Sequence, residues 1–180
     1  SANRAGDMTL RVAIQMDPIG AIDISGDTSF ALGLAAQERG HQLSYYLPDS
    51  LTLAEGRPEA VCQTLELRDR VGDHFTAGPP ARMPLDRFDV ILMRQDPPFD
   101  MAYITATHLL EMLPPSTMVV NNPAEVRNAP EKLLVTMFPD LMPPTPISRD
   151  AEAIKGFRAT HKDIIVKLLF GNGGAGVFRL

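Results

Sequence analysis

Lys167 stands four residues ahead of a glycine-rich run, GNGGAG over 171–176. Glycines let a chain turn tightly, with successive N–H groups facing one point and no Cβ in the way. Such a turn takes an anion, a phosphate above all, and a nearby lysine adds a point charge with three donors. The candidate phosphate contacts are therefore Lys167, Gly171, Asn172, Gly173, Gly174, Ala175 and Gly176. Two familiar phosphate loops are excluded. The P-loop carries its lysine after the glycines, and here the lysine comes first. The dinucleotide fingerprint opens a helix, whereas GVFRL (176–180) reads as strand. The competing reading is a flexible hairpin turn beside a partly buried lysine, and the local pattern leaves the two open.

Other residues gain weight from their positions. Lys132 falls on a short helix after NAPE, with Leu133 and Leu134 read as facing inward. Alone it is a surface lysine, and it matters only if a nucleotide site lies beside it. Arg94 ends an apolar run and is followed by QDPPFD (95–100). In open α/β sheets ligands lie beyond the carboxyl ends of the strands. Arg94 either forks onto a substrate carboxylate or pairs with Asp96 or Asp100 to stiffen its own turn. Asp17, after the first strand, either caps or binds, and Asp27, Thr28 and Ser29 are read as caps of the next helix. Asn121 and Asn122 either touch a ligand or shape the turn into Pro123. His41, His74, His108 and His161 lack zinc spacing, and Cys62 is the sole cysteine. No nucleophile elbow is present. No catalytic and no metal-ligating residue is assigned.

These groups need elements to hold them. LRVAIQM (10–16), a helical pattern over 29–40 and HQLSYYL (41–47) predict a strand–helix–strand unit with parallel pairing. Residues 48–84 read as an antiparallel insertion, with LTLAEG and VCQTLELRD as short strands about a turn at EGRPE. Further strands are expected at 87–94, 117–123 and 163–170, and helices at 101–113, 129–138 and 149–161. Pro114 and Pro115 stop the first of these helices, and Pro130 opens the second. The segment 140–148 is proline-rich and extended.

The composition bounds the partners. The chain has 180 residues, 44% hydrophobic and 22% charged, which suits a globular domain and part of a second. A net charge of -5 argues against an extended nucleic-acid surface. One cysteine permits no internal disulfide and fits a reducing, cytoplasmic setting. No apolar run is long enough to predict a membrane span. Residues 1–7, SANRAGD, read as a disordered leader or fusion scar.

MDPI (16–19), DVILMRQDPPFD (89–100), VVNNPAEVRNAPEKLLVTMFPDLMPPT (119–145) and DIIVKLLFGNGGAGVFR (163–179) together resemble the bacterial glutathione synthetase family of the ATP-grasp superfamily. The likeness runs from about Thr9 to Leu180. It implies an α/β fold: an open, mostly parallel pre-ATP-grasp sheet domain over 8–123, then the beginning of an ATP-grasp domain over 124–180. The implied activity joins γ-glutamylcysteine to glycine through an acyl phosphate, using ATP and Mg²⁺ and giving glutathione, ADP and phosphate. Lys132 and Lys167 then match ATP-phosphate contacts, and Gly171–Gly176 matches the flexible loop over the phosphates. Arg94, and with it Asp17, is assigned to the peptide substrate. The family implies a homo-oligomer, typically a tetramer, with neither nucleic acid nor membrane as partner. In that family the acids for Mg²⁺ lie beyond the stretch matched here, so a chain of this length is expected to be an N-terminal piece without turnover. Two positions depart from the common Lys-Pro-Leu-Asp-Gly pattern: Leu168 replaces its proline and Phe170 its aspartate. Another ATP-grasp carboxylate–amine ligase, or a non-catalytic fragment of that fold, are the competing readings.

Overall fold

The computed structural model describes residues 8–171 and 174–180. The N-terminal seven residues, read above as a leader, lie outside it, as do Asn172 and Gly173. The first unit is the expected crossover: β1 (Arg11–Gln15), α1 (Thr28–Glu38) and β2 (Gln42–Tyr46), with β1 and β2 parallel and Val12 beside Leu43. Asp27 is the cap of α1, accepting from the Phe30 N–H at 2.7 Å. Thr28 and Ser29 are not caps. They sit inside the first turn, and their hydroxyls turn to another partner described below.

Next come β3 (Thr52–Ala54), β4 (Arg57–Leu67), β5 (Phe75–Ala77) and β6 (Ala81–Pro84), and β3, β5 and β6 all pair antiparallel with β4. The turn at EGRPE is shorter than its sequence suggests. Only Glu55 and Gly56 turn, with φ of 51° and 78°. Two successive positive φ values match the twist of a two-residue hairpin, and the chain re-enters β4 at Arg57. β4 is the spine of this half. Glu59 lies between Thr52 and Pro84, and Leu65 between Leu43 and Ala77. α1 is tied to it through Gln37, whose side chain both donates to the Leu67 carbonyl and accepts from the Leu67 N–H at 2.8 Å. Gly33 lets the helix lie close, since a Cβ there would stand 2.6 Å from a Leu67 methyl.

β7 (Val90–Met93), α2 (Met101–Glu111) and β8 (Met118–Val120) complete the sheet in the order β3-β4-β2-β1-β7-β8, with the last four strands of that order parallel. The pleat sends alternate β1 residues to opposite faces. Val12 and Ile14 join Phe30, Leu43 and Leu67 under α1, while Ala13 joins Tyr46, Cys62, Ile91 and Leu110 on the α2 side. α3 (Pro123–Asn128) follows, a helix the sequence reading left out. Asn122 caps it, accepting from the Ala124 and Glu125 N–H groups, so this asparagine shapes the turn. Arg127 fastens α3 to α2 through Glu111 at 2.6 Å and Thr107 at 3.2 Å. That hydrogen bond holds the Glu111 carboxyl below the usual range.

The rest is lighter: α4 (Glu131–Leu134), α5 (Ala151–His161), β9 (Ile165–Lys167) and β10 (Val177–Arg179). The helix expected over 129–138 divides into α4 and a 3-10 turn at Val135–Met137. Leu134 is exposed, not inward-facing. The strand expected over 163–170 shrinks to β9, which among the described residues pairs only with β10, antiparallel. Among the described residues no helix is long and apolar enough to cross a membrane.

Cys62 gives one direct test of this packing. Burial pushes its thiol from an ordinary value of 9.0 up to about 12. The thiol is therefore expected to ignore an aromatic disulfide reagent at pH 8 in the native chain and to react fully in denaturant. A raised thiol pKa means the fold favours the neutral form. Its contribution is complete below the unfolded value and fades as pH climbs towards the folded one. The denaturant midpoint should thus fall between pH 9 and 11 by more in the native sequence than in Cys62→Ala.

Candidate active site

A cleft of about 710 Å³ opens beyond the carboxyl ends of β7 and β8. One wall is the segment after β7, beginning at Arg94, and the other is α4 with Leu169–Gly171. This is where an open parallel sheet leaves a crevice, because the chain leaves adjacent strands towards different elements.

The first wall is held by polar contacts from β1 and α1. The Arg94 N–H donates to the Gln15 carbonyl at 2.8 Å, carrying the β1–β7 ladder one residue past β7. Its guanidinium donates to Ser29 Oγ at 3.2 Å and to Thr28 Oγ1. The alternative pairing with Asp96 or Asp100 is absent among the described ion pairs. Asp100 instead caps α2 by accepting from the Tyr103 N–H at 2.9 Å. Asp17 accepts from the Asp96 N–H at 2.8 Å, so it pins the loop backbone from the end of β1. Among the described residues the guanidinium is held by two neutral hydroxyls and no ion pair, which take two of its five N–H donors. Tyr103 rises beside it. Burial pushes its hydroxyl pKa up, with Arg94 opposing and Asp96 adding to the shift.

Lys132 reaches across from α4, half-buried, and its Nζ donates to the Gly171 carbonyl. Gly174 and Gly176 have φ of 77° and 70°, the left-handed region that glycine enters without a Cβ clash. A Cβ at Gly176 would stand 2.6 Å from Leu168, so the departure at Leu168 packs against a glycine and fills the inside of the turn. Phe170, the other departure, faces Phe99 at 6.5 Å between ring centroids and 27° between planes. Phe99 in turn packs on Tyr103 at 5.2 Å. An aromatic row thus joins the two walls.

The predicted residues do not all converge. Arg94, Lys132 and Gly171 line one cleft, while Lys167 is exposed at the end of β9, opposite Val177, and is not part of the lining. Asp17 lies behind the first wall. Asn121 lines the cleft; Asn122 does not. Gln15, Gln95, Phe99 and Tyr103 escaped the sequence reading. One signal for them was present: Gln15 is a lone amide in the apolar run LRVAIQM. Among the described residues no group of three or more His, Cys, Asp or Glu gathers as a metal shell.

The geometry defines an α/β sheet domain with a crevice at the carboxyl ends of its parallel strands, lined on its far side by Lys132 and Gly171. The model of the prokaryotic glutathione synthetase N-terminal domain matches residues 10–127, and that of the prokaryotic glutathione synthetase ATP-grasp domain matches 131–180. The chain belongs to the prokaryotic glutathione synthetase family. It is 60% identical over 173 residues to the glutathione synthetase of Rhodopseudomonas palustris, covering 96% of this chain and 55% of that protein. For Bradyrhizobium diazoefficiens the identity is 59% with the same coverage. For Vibrio cholerae it is 41% over 172 residues, 95% of this chain and 54% of the relative. The chain thus spans about half the length of these relatives.

Proposed function

We propose that this chain serves an ATP-dependent carboxylate–amine ligation in which γ-glutamylcysteine and glycine give glutathione, ADP and phosphate. The observation that carries the reading is the pairing, across one cleft, of a guanidinium held by neutral partners with a lysine held against a glycine hairpin. The first suits a peptide carboxylate and the second a polyphosphate.

Arg94 binds and orients the peptide from the first wall. Lys132 exchanges the Gly171 carbonyl for a phosphate oxygen, and the released hairpin, Gly171 to Gly176, settles its N–H groups over the same phosphates. Lys167 joins from β9 once the hairpin moves. Asp17 acts on the substrate indirectly, by fixing the loop that carries Arg94. ATP, when bound, supplies the phosphoryl group that turns the peptide's carboxylate into something an amine can attack. Such transfer depends mainly on positioning and charge compensation, which two lysines and a loop of donors help to provide. The described residues do not fit Mg²⁺ by themselves, since they gather no oxygen-rich shell, and no step is assigned through it. The same consideration leads us to propose that the 180-residue chain binds both ligands without turnover. A homo-oligomer, most simply a tetramer, and a cytoplasmic setting complete the proposal.

Calorimetric titration of the chain with ATP and, separately, with γ-glutamylcysteine tests it, alongside an ADP-release assay with glycine added. Saturable binding of both ligands without ADP release is the expected result. Absence of binding by either one, or robust ADP release, would overturn the corresponding part.

A further inference from the structure

We infer that Gln95 is a specificity-determining residue for the peptide: its amide N–H groups donate to the carboxylate of a free α-amino-acid head, and Gln15 is the positioning residue that turns them towards the cleft. The inference rests on the peptide reading above.

Gln15 is the last residue of β1 and is 0% exposed. Its backbone has no need of the side chain, because its carbonyl already accepts from the Arg94 N–H at 2.8 Å. Its side chain runs instead to Gln95, with Gln15 Nε2 donating to Gln95 Oε1. The other end of the same amide, Gln15 Oε1, is buried without a hydrogen-bond partner among the described residues. A fold rarely keeps an orphaned polar atom at the heart of a sheet when an apolar residue of that size would pack there, so the position calls for a role. The contact itself supplies one.

An amide engaged through its oxygen has its NH₂ group left over. Gln95 and Arg94 both line the cleft, Gln95 reaching Gln15 and Arg94 reaching α1. Both offer donors to it, and donors sharing one cleft select an oxygen-rich anion. Asp96, the next residue in the lining, brings a carboxylate whose partner would be an ammonium. Donors for a carboxylate beside an acceptor for an ammonium fit a zwitterionic α-amino-acid head, which γ-glutamylcysteine carries at its glutamyl end. Were Gln15 to present an oxygen to Gln95, the Gln95 amide would turn over and offer its own oxygen to the ligand's carboxylate. The buried amide therefore sets the polarity of the exposed one.

The test is a titration of the ¹⁵N-labelled chain with γ-glutamylcysteine and with cysteinylglycine, which lacks the glutamyl head, following side-chain amide resonances. The Gln95 NH₂ pair is expected to move with the first and not with the second. Gln95→Glu keeps the acceptor for Gln15 and loses the donor, and is expected to weaken γ-glutamylcysteine binding about 30-fold while ATP binding changes less than about 2-fold. Gln15→Glu turns the Gln95 amide over and is expected to weaken it about 10-fold. If burial of that acid unfolds the chain, the partly exposed Gln95→Glu still decides. Peptide binding that shifts Arg94 and Asp96 but leaves the Gln95 amide still, or a Gln95→Glu chain that binds normally, overturns the inference and spares the peptide reading. Failure of the unaltered chain to bind the peptide at all removes both.

Discussion

Arg94→Met is expected to weaken γ-glutamylcysteine binding by about 100-fold or more and ATP binding by less than about 3-fold. Two effects add. The substitution deletes the cation that faces the cleft, and it also releases the wall from α1, because Thr28 and Ser29 grip that guanidinium and nothing else in the loop. Arg94→Lys separates them. A lysine restores the charge but not the fork that spans two hydroxyls and still faces a ligand. Its affinity should therefore recover only about tenfold of the loss. The Asp17 contact to the Asp96 N–H and the ladder bond from the Arg94 N–H both survive the change, so the fold should hold. Calorimetry with each ligand, and a thermal melt of each variant, checks this. Equal losses for peptide and ATP would mean that the loop had collapsed and that Arg94 has no ligand of its own.

Lys132→Met should show the reverse selectivity, with ATP affinity down about 100-fold and the peptide nearly untouched. Lys132 is the better placed of the two lysines, half-buried in the cleft and already against the glycine hairpin. A charge partly removed from water interacts more strongly with a phosphate than an exposed one does. Lys167 is exposed and outside the lining, so Lys167→Met should cost less, about 3- to 10-fold. Surface substitutions of this kind usually move stability by under about 0.5 kcal/mol, which keeps the binding result interpretable. A larger loss at Lys167 than at Lys132 would reverse the order of the two roles and show that the hairpin moves further than proposed.

Much of the sheet was legible because its signals are local. The apolar run at 10–16, the period-two alternation at 41–47 and the helical stripe between them need no knowledge of the rest of the chain. The antiparallel insertion was legible as a kind of structure but not in its boundaries, because a two-residue turn at Glu55 and Gly56 leaves little trace beside the prolines and charges around it. α3 leaves little signal because its six residues, from Pro123 to Asn128, carry no apolar stripe, and what fixes it is a long-range ion pair from Arg127 to Glu111. The site divides the same way. Residue type and position singled out Arg94 and Lys132. What each one touches did not follow, since the partners of Arg94 lie 65 and 66 residues away in a helix that had been read as capping itself. The departures at Leu168 and Phe170 were visible as letters. Only packing shows one filling a glycine turn and the other reaching Phe99.

The unequal support of the two walls has a consequence in time. β4 is bonded along both edges, and the loop bearing Arg94 hangs from β7, in the interior of the same sheet. Those backbone amides open only with the sheet as a whole. The glycine hairpin hangs from β9 and β10, a ribbon of two strands with mostly exposed side chains, and such a ribbon is marginal by itself in water. The Arg94 wall is thus anchored in an eight-stranded sheet, and the wall ending at Gly171 follows a two-stranded ribbon. In hydrogen exchange the amides of β1 and β7 are expected to outlast those of β9 and β10 by orders of magnitude in time.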